Sequence, residues 1–493
     1  MPILTFVTFV KFHYNKCIKQ LEQKSVVTFL CMLVARYSLE ANAVQYEALF
    51  RDKPIWKALA TLAVPSVLSV LVVMLYNMAD MFFIARVGDT AQVAAVSVVG
   101  PVFSIVTAIA TMLGAGGSAT IAKAVGADET DYARTCASLC GWTAILFGAA
   151  VAIVFNLFTD PLLRLLGATP DMLGYANAYL RILAIGAPAM LFSTGFGQLL
   201  RAEGAIKDGF IANMAGTITN IILDPLFILV LELGVVGAAV ATVIGNLVAS
   251  SLCLRYIFKK ASILNLQPEQ ALRRPQALLG IMALGLPNAI SSLLAGFAST
   301  FSNRLLSPYG TNALAAMGAA GRVTMLISLV QMGICIGAQP LMAYNYGARN
   351  LPRLKEALQK LAILTVSFGV LTTIVCTLTR HTLIGLFLQD PEAAAIGEQM
   401  VVWLLLAGPV LGLYYLSSNF LQAAGNAVVA TVVSVLRQGA LLIPCLYLLH
   451  LLLGFTGIAA AHAVADIASA LAALSACLWQ YRRLRNTVNP KIP

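Results

Sequence analysis

Along the chain, apolar residues gather in windows of about twenty, each long enough to cross a hydrocarbon layer roughly 30 Å thick, with short clusters of Gly, Pro and charge between them. Twelve such windows fall near 55–82, 91–120, 133–158, 173–198, 206–231, 235–258, 277–302, 312–339, 357–379, 396–420, 427–450 and 455–480. A membrane barrel would instead show short segments of alternating polarity, so helices are predicted. Residues 1–52 break the pattern. They mix polar and apolar positions, and their apolar run 26–35 is too short to span. That stretch lacks the small-residue cleavage site of a signal peptide and reads as an interfacial arm or a dispensable extension. The predicted fold class is an all-α polytopic membrane protein.

The punctuation repeats. Sliding the chain by 221 or 222 residues pairs Pro65 with Pro287, Gly88 with Gly310, Gly126 with Gly347, Pro170 with Pro391, Pro188 with Pro409 and Gly204 with Gly425, and a shift of 220 pairs Gly237 with Gly457. Apolar matches come cheaply, but coincident Gly and Pro do not, so two homologous halves of six helices each are predicted. The expected division is an extension over 1–52, an N-lobe over 53–258, a cytoplasmic linker over 259–276, a C-lobe over 277–481 and a tail over 482–493. Six is even, so both halves enter the bilayer in the same direction. Such parallel repeats generally enclose a site near the midplane and expose it to one side at a time.

Composition sharpens this picture. With 59% hydrophobic and 11% charged residues, the 493-residue chain lacks the polar surface of soluble domains. The net charge of +11 points to topology rather than nucleic acid. If the amino terminus is cytoplasmic, 25 of the 32 Lys and Arg lie on inner segments, while Arg86, Arg164, Arg181, Arg304 and Arg380 lie outside. The positive-inside rule then puts both termini in the cytoplasm of a multi-pass protein, expected in a prokaryotic plasma (inner) membrane. The nine Cys are scattered without a CxxC pair and read as free packing residues.

Candidate chemistry comes from the few ionisable residues inside the spans, which are costly there unless they face a cavity or a partner. These are Asp80, Asp224, Arg322, Arg437 and Asp466. In the fifth span Asn213, Thr217, Asn220 and Asp224 keep to one helical face, and Pro225 denies the Ile221 carbonyl its usual helical partner. Carboxylate, amide and carbonyl oxygens suit a small hard cation such as Na⁺ at Asp80, Asn220 and Asp224; alternatively they glue helices through hydrogen bonds. Thr242, in the small-residue run 237–242, is a further oxygen or a packing residue. In the second half His462 and Asp466 lie one turn apart and read as a satisfied pair, with a proton relay as the alternative. Tyr76, Asn77, Gln198, Met325, Gln331 and Asn419, together with Asn213 and Thr217, are candidates for a substrate cavity. Met74, Met78, Phe196, Met332, Tyr414 and Tyr415 either line it for flat lipophilic cations or pack against lipid. No P-loop, no HExxH and no large soluble segment occurs, so an ion gradient rather than ATP on this chain is the expected energy source. No enzyme activity and no cofactor are expected.

Over roughly residues 50–482 the chain resembles the multidrug and toxic compound extrusion (MATE) transporters, especially their bacterial drug-efflux branch. The stretches that carry the likeness are Tyr76-Asn-Met-Ala-Asp80-Met-Phe-Phe-Ile84, Asn220-Ile-Ile-Leu-Asp224-Pro225, Gly237-Ala-Ala-Val-Ala-Thr242, Gln339-Pro340 and Tyr344-Asn-Tyr-Gly347. The resemblance implies twelve helices in two lobes and a functional monomer in the lipid bilayer. It also implies export of small organic, often cationic, compounds in exchange for inward Na⁺ or H⁺. By the same likeness Asp80, Asn220, Asp224 and Thr242 correspond to an amino-lobe cation site, with Ala85 where the motif commonly has Gly. Acidic residues on the seventh and tenth helices, used by the NorM type, are missing here except for Glu398 near a helix end. A lipid-linked oligosaccharide flippase of related architecture is the alternative. It would call for a strongly basic cavity to hold a pyrophosphate.

Overall fold

A computed structural model describes residues 48–488 except 87, 88 and 389; of residues 48, 76–82, 85, 86 and 90 it describes the backbone alone. Among the described residues eleven helices are long and apolar enough to span a bilayer, and a bent pair makes up to twelve. They are α1 (Ile55–Arg86), α2 (Thr90–Gly126), α3 (Thr130–Leu157), α4 (Pro170–Ala202), α5 (Ile206–Pro225), α6 (Gly234–Lys259), α7 (Ala277–Leu306), α8 (Thr311–Gly347), α9 (Leu351–Leu378), α10 (Pro391–Leu405 with Gly408–Ala423), α11 (Ala427–Leu453) and α12 (Phe455–Val488). Helix is the form in which each segment satisfies its own backbone in lipid, and interior prolines such as Pro65, Pro101, Pro287 and Pro340 are carried without ending a helix.

α10 bends by 46° between its two pieces. Pro409 has no N–H to offer the Leu405 carbonyl, and the Thr373 hydroxyl of α9 donates to that oxygen at 3.1 Å instead. Three wider, π-helical turns occur among the described residues: Ala48–Asp52 precedes α1, Leu226–Val230 extends α5 directly after Pro225, and Leu436–Leu441 interrupts α11.

The packing repeats as the punctuation does. In the first half α2 lies on α4, α3 on α4, α4 on α6, α5 on α6 and α1 on α5; in the second half α8, α9, α10, α11, α12 and α7 repeat each of these pairings in turn. The halves meet crosswise, α1 against α8 and α7 against α2, with α2 and α8 together between them. That arrangement is what an axis along the membrane normal, relating two parallel repeats, produces. The tight turns after α4 and α10 match as well, each closed by a left-handed glycine, Gly204 (φ 76°) and Gly425 (φ 87°).

Contact between the halves is concentrated at one face, the one where α1 begins and α12 ends. A single core there mixes Leu59, Ile121 and Phe196 of the first half with Ile334, Leu341 and Phe420 of the second. Toward the opposite face the core divides: Phe83, Ile84, Val99 and Ile228 cluster within the first half, and Leu306, Ile327, Ile384 and Leu446 within the second. The molecule is therefore a V, sealed at the terminal face and split at the distal face. Glycines make the seal. A Cβ on Gly126 would stand 2.0 Å from the Tyr344 carbonyl oxygen, and one on its repeat mate Gly347 would stand 2.1 Å from that of Lys123.

The end of the 1–52 extension belongs to this seal. Phe50 is fully buried and stacks on Tyr344 at 5.6 Å, while Arg353 donates to the Phe50 and Lys53 carbonyls at 2.6 Å each. Residues 1–47 lie outside the described set. The linker after α6 is strapped down on the first half: Glu203 accepts from Ser262 and Ile263, and Ser138 and Trp142 donate to the Gln267 and Leu266 carbonyls.

Candidate functional site

The polar face of α5 turns inward. Asn213 and Thr217 are half-buried, Asn220 is 3% exposed and Asp224 0%. α6 crosses beside it and brings Thr242, 5% exposed, to the same spot. In the orientation of the Asn220 amide that satisfies its neighbours, its NH₂ donates to Asp224 Oδ2 at 2.8 Å, and its oxygen accepts from the Thr242 hydroxyl at 3.2 Å and the Thr242 N–H at 3.0 Å. Three of the four residues expected to couple a cation thus form one hydrogen-bonded cluster. The fourth, Asp80, lies on α1, but its side chain, like those of Tyr76 and Asn77, is outside the described residues.

The cluster has a rear wall that sequence reasoning missed. Asn246, one turn beyond Thr242, donates to the Thr242 carbonyl at 2.9 Å and accepts from the Ser193 hydroxyl of α4 at 2.9 Å. Its i+4 spacing from Thr242 was the available signal. The α5 backbone continues through Pro225 into the Leu226–Val230 π turn, so the proline widens the helix rather than ending it.

The remaining candidates separate into wall and scaffold. Asn213 sits against Gly197 and Gln198 against Gly114, both inside the first half and half-buried. Met325 is 48% exposed in the part of α8 where the halves diverge. Arg322, Leu326, Gly333 and Gly337 share one face of α8 at 100° per residue, and Gly333 and Gly337 on that face touch Val67 and Leu62 of α1. Exposed Arg322 continues that face into the cleft. Gln331, expected at a cavity, is instead 0% exposed, its NH₂ donating to the carbonyls of Gly408 at 2.9 Å and Thr365 at 3.2 Å. It ties α8 to α9 at the break in α10. Asn419 is 7% exposed and donates back to the Tyr415 carbonyl of its own helix at 2.8 Å, while Phe196 is fully enclosed and stacked on Phe192.

The expected pairing of His462 with Asp466 is corrected. Asp466 Oδ1 accepts from Arg437 Nε at 2.7 Å, and the guanidinium lies over the Tyr414 and Tyr415 rings at 4.6 and 5.2 Å. His462 Nε2 instead faces the Ser302 hydroxyl of α7 at 3.3 Å. The second half has no counterpart of the cation cluster: at the repeat offset, Asn220 and Asp224 become Leu442 and Leu446, and Thr242 becomes His462.

Comparison with known proteins agrees with this architecture. The MatE family model matches twice, over residues 65–226 and 287–448, which is once per half. The multidrug export protein MepA of Staphylococcus saprophyticus is 30% identical over 427 residues, covering 86% of this chain and 94% of its own, and MepA of Staphylococcus aureus is 30% identical over 426 residues with the same coverage. Among solved structures, a MATE transporter in complex with MaL6 superposes with a TM-score of 0.84 at 24% identity, covering 90% of this chain and 100% of its own. An outward-facing multidrug resistance MATE family transporter of the MOP superfamily also reaches 0.84 at 24% identity, covering 91% and 100%. With both halves matched by the family model and relatives aligned along most of their length, the chain belongs to the MatE family of multidrug efflux transporters, multi-pass proteins of the membrane.

Proposed function

We propose that this transporter exports small organic, lipophilic cationic compounds in exchange for inward Na⁺ or H⁺, with Asp80, Asn220, Asp224 and Thr242 as its coupling site. The observation that carries the reading is the buried Asp224 carboxylate, enclosed with amide and hydroxyl groups on the inward face of α5. Burial at that depth disfavours the ionised form of a carboxylate, so a proton or metal cation that joins it relieves part of the cost. Asp80 is on the adjacent helix at a matching height: Phe83 and Ile84 of α1 cluster with Ile228, and the two Asp stand about one turn before those residues. Gln198, Asn213, Thr217 and Met325, with Tyr76 and Asn77, are proposed to contact substrate from the walls between the halves.

Entry of one charge gains about 2.3 kcal/mol per 100 mV, and a tenfold gradient adds about 1.4 kcal/mol, enough to move an uncharged or singly charged compound uphill. The basic terminal face is assigned to the cytoplasm by the positive-inside rule, which makes the V outward-open. A lipid-linked oligosaccharide flippase is less well supported. Of the two intramembrane arginines, Arg437 is committed to Asp466 and its tyrosines, and Arg322 alone is left to meet a pyrophosphate. The test is efflux of a fluorescent lipophilic cation from proteoliposomes under Na⁺ and H⁺ gradients imposed separately. Transport driven by neither gradient would overturn the reading. Labelling of a cysteine in the 259–274 loop by an impermeant reagent from outside intact cells would reverse the orientation.

A further inference from the structure

At the terminal face an open cavity of about 580 Å³ lies on the second half, away from the proposed coupling site. Three cations line it from three directions: Lys123 from α2 of the other half, Arg349 from the α8–α9 corner and Arg483 from α12. Asn426, Gln480 and Thr487 add neutral polar groups, and no carboxylate lines it among the described residues. Glu129, at the start of α3, attracts Lys123 from outside the cavity. The polar groups are held in place: Asn426 donates to Gln480 at 3.1 Å, Gln480 donates to the Tyr346 hydroxyl at 2.8 Å, and Lys123 lies 5.3 Å from the Tyr346 ring centre.

The internal repeat shows why this space is open. In the first half the chain leaves α6 at Lys259 and folds back, so that Ser262 and Ile263 bind the Glu203 carboxylate and fill the corresponding place. In the second half α12 stays helical to Val488, carrying Arg483 and Thr487 past the point where α6 ends. At the repeat offset Glu203 becomes Ala424, whose carbonyl accepts from Lys123 at 3.0 Å. One half has an acid that binds its own chain; the other has a basic cavity.

We propose that this cavity binds a phosphate-bearing anion, with Arg349 and Arg483 as the principal ligands and Lys123 as a third charge. Guanidinium groups favour phosphate through paired, charge-assisted hydrogen bonds, and the position at the helix ends suits either a phospholipid headgroup or a free phosphate. Because Lys123 crosses from the first half, the cavity is complete only while the terminal face is sealed. The anion therefore favours that state over one in which this face opens.

The test uses the full-length protein purified in detergent. Native mass spectrometry with added phosphatidylglycerol is expected to show a retained lipid in the wild type. Occupancy is expected to fall at least about tenfold in Arg349→Gln with Arg483→Gln, since two charge-assisted contacts are lost. The charge-matched control, Arg482→Gln with Arg485→Gln outside the cavity, should bind like the wild type. Titration with inorganic phosphate forms the second arm. Lipid retention that phosphate does not displace identifies a headgroup, and phosphate binding without lipid retention identifies a soluble anion; either outcome supports the site if only the cavity variant loses it. Equal loss in both double variants, or no binding of either probe by the wild type, overturns the proposal.

Discussion

Asp224 is fully buried with the Asn220 amide 2.8 Å from its Oδ2, and in the proposed coupling site it is the charge that a cation would neutralise. Asp224→Asn keeps the size and is expected to abolish gradient-driven efflux in proteoliposomes containing equal amounts of inserted protein. Thr242→Val keeps the shape but deletes the hydroxyl, and a loss of about 1 kcal/mol should slow coupled efflux by several-fold, on the order of fivefold. Asp466→Asn differs in kind. It strands the Arg437 guanidinium, whose side chain is 12% exposed, and should lower thermal stability by about 3 kcal/mol. Replacing both partners, Arg437→Met with Asp466→Leu, should recover most of that loss in the same melting assay, with transport per inserted molecule affected less than by Asp224→Asn. Part of this contrast was legible in the sequence. Polar residues at offsets of four and three on an otherwise apolar helix have only the bundle interior to face, which singled out Asn220 and Asp224. The Arg437–Asp466 pair was not legible, because the π turn Leu436–Leu441 shifts the register of α11, and a one-turn His–Asp spacing looked like a pair. Gln331 was misread for a similar reason. A polar side chain in a membrane helix marks an interior position, but not whether a cavity or a neighbouring carbonyl is its partner.

At the scale of elements, the twelve spans and the two halves were readable because Gly and Pro act on the backbone and cannot be exchanged as freely as Leu, Ile and Val. What they punctuate was less clear. Pro188 and Pro409 match in sequence, yet α4 runs unbroken and α10 bends, since Thr373 is on hand to take the Leu405 carbonyl and Gln331 the Gly408 carbonyl. The matched pair Gly126 and Gly347 has a stricter role. Each lets the carbonyl backbone of the other half approach closer than any side chain permits, and the listener to a substitution there is backbone, which cannot rotate away. Gly126→Ala with Gly347→Ala should therefore force the terminal face apart without touching the Asp224 cluster. Spin labels at Leu165 and Leu386, exposed residues of opposite halves, report the result. Their separation is expected to shorten as the distal face closes in compensation. An unchanged distance distribution in a stably folded variant would mean that these glycines do not govern the seal.

For the whole molecule, the divided distal core and the shared terminal core are the arrangement expected of one end-state if the halves rock. Sequence could not reveal which end is sealed, because the repeat makes the two halves equivalent and either face can close with the same residues facing lipid. If export requires alternation, fixing the seal must stop it. Ser66 on α1 and Gly337 on α8 meet across the halves: a Cβ on Gly337 would lie 3.0 Å from the Ser66 Cβ and 2.7 Å from the Leu62 carbonyl oxygen, so the helices must part slightly to admit it, which brings the Cβ pair toward the usual disulfide range of about 3.5–4.5 Å. Ser66→Cys with Gly337→Cys, in a background with the native cysteines replaced by Ser, is therefore expected to cross-link under a membrane-permeant oxidant. Efflux should fall to the level of empty liposomes and return on reduction. Each single-cysteine variant, treated alike, sets the baseline, and its activity should not change on oxidation, which separates cross-linking from damage to packing. A channel-like pathway through a fixed V would behave differently, since a bond at the closed end leaves the open end unchanged. Transport that persists in the cross-linked protein would thus rule out rocking about this seam, whereas reversible arrest would tie efflux to the parting of Ser66 and Gly337.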